Sequence, residues 1–292
     1  MFKFGFDEEN QQEETSQSTQ TDPAQLHDFS LLRQAAPRIS YTGYAVPKTE
    51  ITLPRRDFFD ARYQLMGEDN LSESDQLLLG SEDVRKTVYE GGLKVWEGTG
   101  DLLEVLAEHS ETSVIELGCG AGIPGCLQLY KALKANLSGR FVLADYNTSV
   151  LRLITMPNVV LAWLAATKGL EDKGEINLTA ELIEECAADL AKRGVAVHFV
   201  SGGWSPQFVQ LVGQPFDLVL ASETIYSLDS IVAFTDVLAA VKGKLALVAA
   251  KKVYFGVGGG VIEFQRQLDK RQLSYHLVLE TGSVGRVVLA VE

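Results

Sequence analysis

The 292-residue sequence predicts an α/β fold built on one mostly parallel, seven-stranded sheet whose last strand runs antiparallel. The prediction depends on three features. Short apolar runs alternate with amphipathic stretches of helical length over most of the chain. A glycine-rich turn between Gly118 and Gly125 joins one apolar run to the following helical stretch. A short turn that begins at Glu280 separates the last two apolar runs, which is typical of a β-hairpin.

The N-terminal part of the chain differs in composition from the rest. Residues 1–30 contain seven carboxylates and one lysine, Lys3, and residues 1–50 are expected to form a disordered acidic segment. The stretch from Pro37 to Pro54 is predicted to be irregular. Residues 51–110 are expected to form an extension that packs on the core, and residues 111–292 to form the main domain.

Helices are predicted in the extension at two places, Glu82–Tyr89 and Thr99–Glu108, with Thr99 as a candidate N-cap. The segment Asp57–Met66 fits either a short helix or a strand. Five apolar runs predict the parallel strands: Val114–Leu117, Phe141–Ala144, Val195–Val200, Phe216–Ala221 and Leu245–Ala249. Helical periodicity marks Pro124–Ala135, Val150–Thr167, Ala180–Arg193, Ser230–Val241 and Val261–Arg271.

The closing hairpin is predicted at Ser274–Leu279 and Arg286–Val291. Together these elements indicate the Rossmann-like seven-stranded sheet of methyltransferases, and not the six-stranded parallel sheet of nicotinamide enzymes.

Composition excludes several classes of protein. A net charge of −13 argues against binding nucleic acid through a basic surface, and suits either a basic partner or simple solubility. Because no run of about 18 apolar residues occurs, no membrane span is expected, and the first residues do not resemble a secretory signal. Cys119, Cys126 and Cys186 form no C-x-x-C pair, so neither a disulfide framework nor a zinc site is indicated, and a reducing compartment is expected.

The glycine-rich turn is the strongest functional signal. Gly118, Gly120 and Gly122 let the backbone approach a ligand closely, and the following helix offers its N-terminal N–H groups. The spacing also satisfies the dinucleotide pattern G-x-G-x-x-G. However, Glu116 lies two residues before the turn, where a carboxylate repels a diphosphate and suits the cationic S-adenosylmethionine. A methyltransferase is therefore favoured over a nicotinamide enzyme.

Two further positions at predicted strand ends fit the same cofactor. Asp145 could accept the ribose hydroxyls, although it could equally cap the helix that begins near Asn147, and NAD uses the same contact. Trp204 follows a pair of glycines after the third parallel strand and could stack on adenine, with a buried core tryptophan as the alternative.

The segment from Ser222 to Tyr226 follows the fourth parallel strand, where polar residues would face the transferable methyl group. In a helical turn, Glu223 and Tyr226 would share one side at i and i+3, so both could reach one nucleophile. Alternatively, Glu223 caps the next helix and Tyr226 packs beneath it.

Three segments resemble the eukaryotic histidine protein methyltransferase family. They are Tyr89–Glu97, Asp145–Arg152 and Ser222–Tyr226, and the resemblance extends from about Phe58 to the C-terminus. It implies an S-adenosylmethionine-dependent enzyme of the cytoplasm and nucleus. The implied reaction methylates a histidine of a large-subunit ribosomal protein to 3-methylhistidine.

The resemblance also implies roles for individual residues. It assigns Glu223 and Tyr226 to catalysis on the substrate side, and the segment Lys252–Gly260 to a loop beside the substrate. The implied cofactor contacts are Trp96, Glu116, Gly118, Cys119, Gly120, Asp145, Asn147, Trp204 and Ser222.

Other functions stay open from the residues alone. A lysine methyltransferase would use the same scaffold, and a non-catalytic factor could bind a basic ribosomal protein through the acidic residues 7–28. A nicotinamide reductase is disfavoured because its Tyr-x-x-x-Lys pair occurs only at Tyr44–Lys48, upstream of the glycine turn. We expect no metal site, no direct nucleic-acid partner and no membrane partner, and we expect a monomer.

Overall fold

The computed structural model describes residues 22–34, 38–79, 92–282 and 285–292. The strands in these residues are β1 (Gln25–His27), β2 (Arg38–Ala45), β3 (Thr52–Arg56), β4 (Ser113–Leu117), β5 (Gly139–Asp145), β6 (Lys173–Asn177), β7 (Val195–Ser201), β8 (Phe216–Ser222), β9 (Lys242–Lys251), β10 (Tyr275–Thr281) and β11 (Arg286–Val291).

The helices surround these strands. They are α1 (Phe58–Met66), α2 (Glu73–Leu79), α3 (Glu97–Leu106), α4 (Ile123–Lys134), α5 (Thr148–Val150), α6 (Met156–Thr167), α7 (Ala180–Lys192), α8 (Pro206–Val212), α9 (Leu228–Val241) and α10 (Val261–Lys270). A 3-10 helix at Phe29–Gln34 follows β1.

The main sheet has the order β1-β7-β5-β4-β8-β9-β11-β10. Strands β7, β5, β4, β8 and β9 are parallel, and β11 runs antiparallel to both of its neighbours, β9 and β10. The predicted seven-stranded, Rossmann-like sheet is therefore confirmed. Strand β1 adds an eighth, antiparallel strand at the β7 edge.

The register brings the ends of the central strands together. Leu117 at the end of β4 lies beside Ala144 of β5 on one side and Ala221 of β8 on the other. The residues that follow these three positions therefore meet at one edge of the sheet, which is where open α/β sheets bind ligands.

The N-terminal expectations need correction. Strand β1 and the hairpin of β2 and β3 occupy parts of the ranges expected to be disordered or irregular. Their order comes from partners distant in sequence, because β6 pairs with β2 in a three-stranded sheet of order β3-β2-β6. Ile39 and Leu53 are fully buried there. Residues 1–21, with most of the acidic segment, and the predicted helix Glu82–Tyr89 lie outside the described residues.

The long helix after β5 is the largest core element. It runs over Thr148–Thr167, with a π-helical turn at Leu151–Thr155 between α5 and α6. By length and composition this helix could cross a membrane, yet 83% of its apolar window is buried inside the protein. Trp163 is buried in it and donates its indole N–H to Asp189 of α7 at 2.8 Å. The burial indicates a core helix and not a membrane span.

Two hydrophobic clusters flank the sheet. One packs α4, α6 and the small sheet on one face, and the other packs α8, α9 and α10 on the opposite face. All three cysteines are buried and free. Within the described part of the chain, no group of three or more His, Cys, Asp or Glu side chains could hold a metal ion.

Candidate active site

The glycine-rich turn joins β4 to α4 at the sheet edge defined above. Gly118 and Gly120 have φ angles of 65° and 49°, in the left-handed region that favours glycine. A Cβ at Gly118 would lie 2.8 Å from Cγ2 of Thr224, which follows β8. The turn therefore needs glycine both for its conformation and for its close packing against the loop after β8.

A cavity opens over this turn. Its lining combines the turn itself, the start of α4, the entry to α3 and the end of β8. The lining residues are Lys94, Val95, Trp96, Thr99, Glu116, Gly118, Cys119, Gly120, Ala121, Gly122, Ile123, Pro124 and Ser222. Six predicted cofactor contacts from three segments of the chain thus meet here: Trp96, Glu116, Gly118, Cys119, Gly120 and Ser222.

Glu116 is buried and lines the cavity. Its Oε2 accepts the backbone N–H of Gly125, in the first turn of α4, at 2.8 Å. Burial raises the pKa of this carboxyl group to about 8; the Gly125 N–H opposes the rise, and the negative charge of Asp145 adds to it. A cationic ligand in the cavity would favour the ionised form, because it would replace the lost solvation of the carboxylate.

Asp145, at the end of β5, is also buried. Its Oδ2 accepts the N–H of Gly120 at 2.9 Å, and its Oδ1 accepts the N–H of Asn147 at 3.1 Å. Burial raises its pKa to about 6, and hydrogen bonds from Gly120, Asn147 and Tyr146 limit the rise. Each carboxylate oxygen retains a second lone pair for another donor, so the ribose contact stays a prediction.

Cys119 and Asn147 are held by the same loops. Cys119 donates its backbone N–H to the carbonyl of Ala144 at 2.8 Å, and burial raises the pKa of its thiol well above the ordinary value. Asn147 is buried at the N-terminal end of α5. Both therefore lie where the loops after β4 and β5 meet.

The two tryptophans border the turn from different sides. Trp96 lines the cavity immediately before α3, and the ammonium groups of Lys94 and Lys251 lie 6.0 and 5.9 Å from its ring centroid. Trp204 is partly exposed, and its ring lies 5.3 Å from that of Phe234 in the core. Trp204 thus combines a core contact with a position near the turn, where its Cζ2 lies 3.8 Å from an ideal Cβ at Gly118.

Helix α3 begins earlier than the sequence suggested. It starts at Glu97 after Trp96, whose extended backbone makes it the N-cap without a side-chain cap, so Thr99 lies inside the helix and is not its cap. The earlier start places Gly98 against the loop after β8. An ideal Cβ at Gly98 would lie 2.8 Å from Oε1 of Glu223 and 3.1 Å from Oγ of Ser222.

The residues after β8 do not form the expected helical turn. Glu223 has a φ of 58°, and α9 begins only at Leu228, with Ser227 as its N-cap in a capping box. Both helical interpretations of Glu223, as the i partner of Tyr226 and as a helix cap, are therefore wrong. The loop is not helical here because the Glu223 N–H donates to the carbonyl of Ala249 in β9 at 2.9 Å, which holds Glu223 against that strand.

Glu223 is 5% exposed. Its Oε2 accepts a hydrogen bond from the hydroxyl of Tyr254, and its Oε1 is buried with no hydrogen-bond partner among the described residues. Burial raises its pKa, while the Tyr254 hydroxyl, the Lys251 ammonium and the nearby Gly98 N–H lower it. Although that N–H acts on the carboxylate electrostatically, its geometry falls short of a hydrogen bond.

Tyr226 is partly buried on the same loop. Burial raises the pKa of its phenol to about 12, and the negative charge of Asp145 adds to the rise. The hydroxyl that donates to Glu223 is that of Tyr254 and not that of Tyr226. The sequence marked the loop Lys252–Gly260, but its run of glycines concealed the geometry that brings Tyr254 to the site.

No family model matches the chain. The chain is 38% identical over 237 residues to histidine protein methyltransferase 1 of Schizosaccharomyces pombe, covering 75% of this chain and 69% of that relative. It is 34% identical over 285 residues to histidine protein methyltransferase 1 of Saccharomyces cerevisiae, covering 84% of this chain and 76% of that relative. The chain belongs to the histidine protein methyltransferase family.

Solved structures resemble this family member only distantly. Magnesium protoporphyrin IX methyltransferase from Synechocystis PCC 6803 with bound SAH is 11% identical, with a TM-score of 0.43, over 80% of this chain and 94% of that one. As a histidine protein methyltransferase, the protein is an enzyme that uses S-adenosylmethionine. The residues present fit this cofactor, because Glu116, Trp96 and the glycines of the turn line one cavity.

Proposed function

We propose that the enzyme methylates one histidine of a basic large-subunit ribosomal protein, giving 3-methylhistidine, and that it works in the cytoplasm and nucleus. Family membership supports histidine as the target. A net charge of −13 suits a basic protein substrate.

Histidine and lysine set different tasks for a methyltransferase. A lysine of pKa about 10.4 must lose a proton before it attacks, at a cost of about 4.6 kcal/mol at pH 7. Imidazole, with a pKa of about 6.5, is already mostly neutral. The enzyme therefore needs no strong base, but it must hold one ring N–H so that the other nitrogen attacks in line.

The observation that carries the proposal is the unequal use of the two Glu223 oxygens. Oε2 is engaged by Tyr254, whereas Oε1 is buried without a hydrogen-bond partner among the described residues, next to the cavity-lining Ser222. A buried acceptor without a donor is costly, so Oε1 is suited to take a donor from a ligand. We assign the imidazole N–H of the target histidine as that donor.

Bound S-adenosylmethionine would supply the electrophilic methyl group, and S-adenosylhomocysteine would leave as the bond from sulfur to that methyl group breaks. Glu223 holds the N–H of the imidazole, which orients the lone pair of the other nitrogen for the new N–C bond. The imidazole becomes a cation as the bond forms, and the Glu223 carboxylate stabilises that charge. Tyr226 limits the space around the ring. The product then releases its ring proton to solvent.

The test combines labelled methyl transfer with the Glu223→Gln variant. Wild-type enzyme, labelled S-adenosylmethionine and large-subunit ribosomal proteins should give label on one histidine, located by peptide mass spectrometry. Because Gln keeps the shape of Glu and removes its charge, turnover should fall about 100-fold while cofactor affinity stays unchanged. Glu184→Gln, at an exposed site on α7, is the matched control. Wild-type turnover in Glu223→Gln would refute the role.

The same assay separates the alternatives. Label on lysine would make the protein a lysine methyltransferase on the same scaffold. A non-catalytic factor that binds the ribosomal protein would transfer no label, and removal of residues 1–21 should abolish its binding. The enzyme should instead retain most of its turnover without those residues.

A further inference from the structure

Tyr254 is the only described side chain whose hydroxyl donates to Glu223. The same hydroxyl oxygen accepts the backbone N–H of Lys251, the last residue of β9, at 3.2 Å. This hydrogen bond from the backbone of β9 fixes the position of the Tyr254 phenol. Its proton points to Oε2 of Glu223, because that oxygen is the acceptor of its hydrogen bond.

The loop that contains Tyr254 is hydrogen-bonded to the loop that contains Tyr226. Gly259 donates its N–H to the carbonyl of Tyr226 at 3.0 Å, and Tyr254 donates its N–H to the carbonyl of Gly259 at 3.2 Å. An ideal Cβ at Gly259 would lie 2.2 Å from the Tyr226 carbonyl carbon, so no side chain fits between them. Backbone hydrogen bonds and close packing therefore hold together the two loops, each of which carries a tyrosine.

We propose that Tyr254 is a positioning residue for methyl transfer: it occupies Oε2 of Glu223 and thereby leaves Oε1 as the oxygen that receives the imidazole N–H. The inference rests on the proposed function, and it extends that function to the loop after β9. Tyr254 does not touch the reacting atoms. It acts by fixing which carboxylate oxygen faces the substrate and by lowering the pKa of the carboxyl group.

The charges around Glu223 come from three elements besides its own loop. Lys251 of β9 lowers the pKa of Glu223, and Glu97 of α3 raises it. Arg286 of β11 also faces this carboxylate, whose charge helps to raise the pKa of its guanidinium. Among the groups that lower the pKa of Glu223, the Tyr254 hydroxyl has the largest effect. Only burial, which raises that pKa, has a larger effect.

Tyr254→Phe removes the hydroxyl and keeps the ring, so loop packing is retained. The pKa of Glu223 should rise, because one contribution that lowers it is lost. After division by the neutral fraction of the substrate histidine, whose own pKa of about 6.5 also shapes the acid limb, the acid limb of the kcat/KM profile should then move to higher pH. The value of kcat/KM at pH 7 should fall about tenfold, as expected for a lost hydrogen bond to a charged group. The affinity for S-adenosylmethionine should not change.

Tyr63→Phe is the control, because Tyr63 is 71% exposed on α1, far from this loop in sequence. It should match wild type in rate and in pH profile. A Tyr254→Phe variant with an unmoved acid limb would overturn the proposal, whatever its rate, because loss of packing alone lowers activity without shifting the limb. Replacing Tyr254 by 3-fluorotyrosine, a stronger donor, should move the limb to lower pH if the phenylalanine variant folds poorly.

A measurement without substrate separates this inference from the proposed function. Carbon-13 NMR of glutamate-labelled enzyme, with the Glu223 signal assigned by its loss in Glu223→Gln, reports the titration of that carboxyl group directly. If Glu223 titrates at higher pH in Tyr254→Phe, the Tyr254 assignment is supported. This holds even if the wild-type enzyme labels no histidine, because that second result would refute only the proposed function. An unchanged titration refutes the Tyr254 assignment even in an active enzyme.

Discussion

The carboxylate of Asp145 accepts the backbone N–H of Gly120 at 2.9 Å. This bond joins the ends of two neighbouring parallel strands, because Gly120 follows β4 and Asp145 closes β5. The shape of the glycine turn and the position of the proposed ribose acceptor are therefore coupled. A change at Asp145 should affect the cofactor both directly and through the turn.

We expect Asp145→Ala to weaken S-adenosylmethionine binding at least about tenfold, since it removes the proposed ribose acceptor and the acceptor of the Gly120 N–H. Isothermal titration calorimetry measures the change. Asp217→Ala, which breaks an exposed ion pair with Lys244, is the control and should bind normally. An unchanged dissociation constant in Asp145→Ala would contradict the assignment.

Gly118→Ala should destabilise the enzyme and abolish detectable cofactor binding. The new methyl group would have to share space with Cγ2 of Thr224 in a backbone conformation that disfavours alanine. Gly169→Ala isolates the backbone contribution, because Gly169 has a φ of 77° but no atom within 4 Å of an ideal Cβ. Chemical denaturation should show a loss of about 1 kcal/mol for Gly169→Ala and a clearly larger loss for Gly118→Ala. Equal losses would show that packing at Gly118 does not matter.

The raised pKa of Glu116 predicts a pH dependence of stability. Its folded-state pKa of about 8 exceeds the ordinary 4.5. The folded state thus binds the proton more tightly, and this contribution to stability is complete below pH 4.5 and is lost as the pH rises through about 8. Across that window the free energy of unfolding of wild type should fall relative to that of Glu116→Gln, in urea titrations without cofactor. A constant difference would mean that Glu116 keeps an ordinary pKa.

Removing β1 should cost more stability than removing the residues before it. Gln25–His27 pair with β7. Just before them, Asp22 contacts the turn after β7, where Gly203 donates its N–H to the carbonyl of Asp22 at 2.9 Å. Deletion of residues 1–28 should therefore lower the free energy of unfolding by at least about 1 kcal/mol relative to deletion of residues 1–21. Equal stability of the two truncated proteins would show that β1 does not secure this edge.

The fold was predictable where signals are local. Strands β4, β5, β7, β8 and β9 alternate with helices in clear periodicity, and the predicted strand Val195–Val200 differs from β7 by a single residue at its end. The small sheet was not predictable, because Ile39 of β2 pairs with Ile176 of β6, 137 residues away. Helix α8 was also missed, since its seven residues are too short for periodicity to mark.

The sequence predicted many of the residues that form the site, but it did not predict the conformation of all of them. The glycine turn with Glu116, and Ser222 at the end of β8, meet as expected from their positions at strand ends. The conformation of Glu223 could not be read from sequence, because its positive φ depends on a hydrogen bond to Ala249. Tyr254 reaches the site through a loop of glycines, whose path no periodicity describes.

Helix α3 is anchored by β11, the C-terminal strand of the main sheet. Arg286, at the start of β11, donates from Nε to Asp101 of α3 at 2.6 Å, and β11 itself fits between β9 and β10. This contact spans 185 residues of sequence. Contacts of such separation form late during folding, because closing a long loop is entropically slow. We therefore expect Trp96 and Gly98 to reach their positions late in folding, and we expect cofactor to slow unfolding of the finished enzyme without speeding the early steps of its assembly.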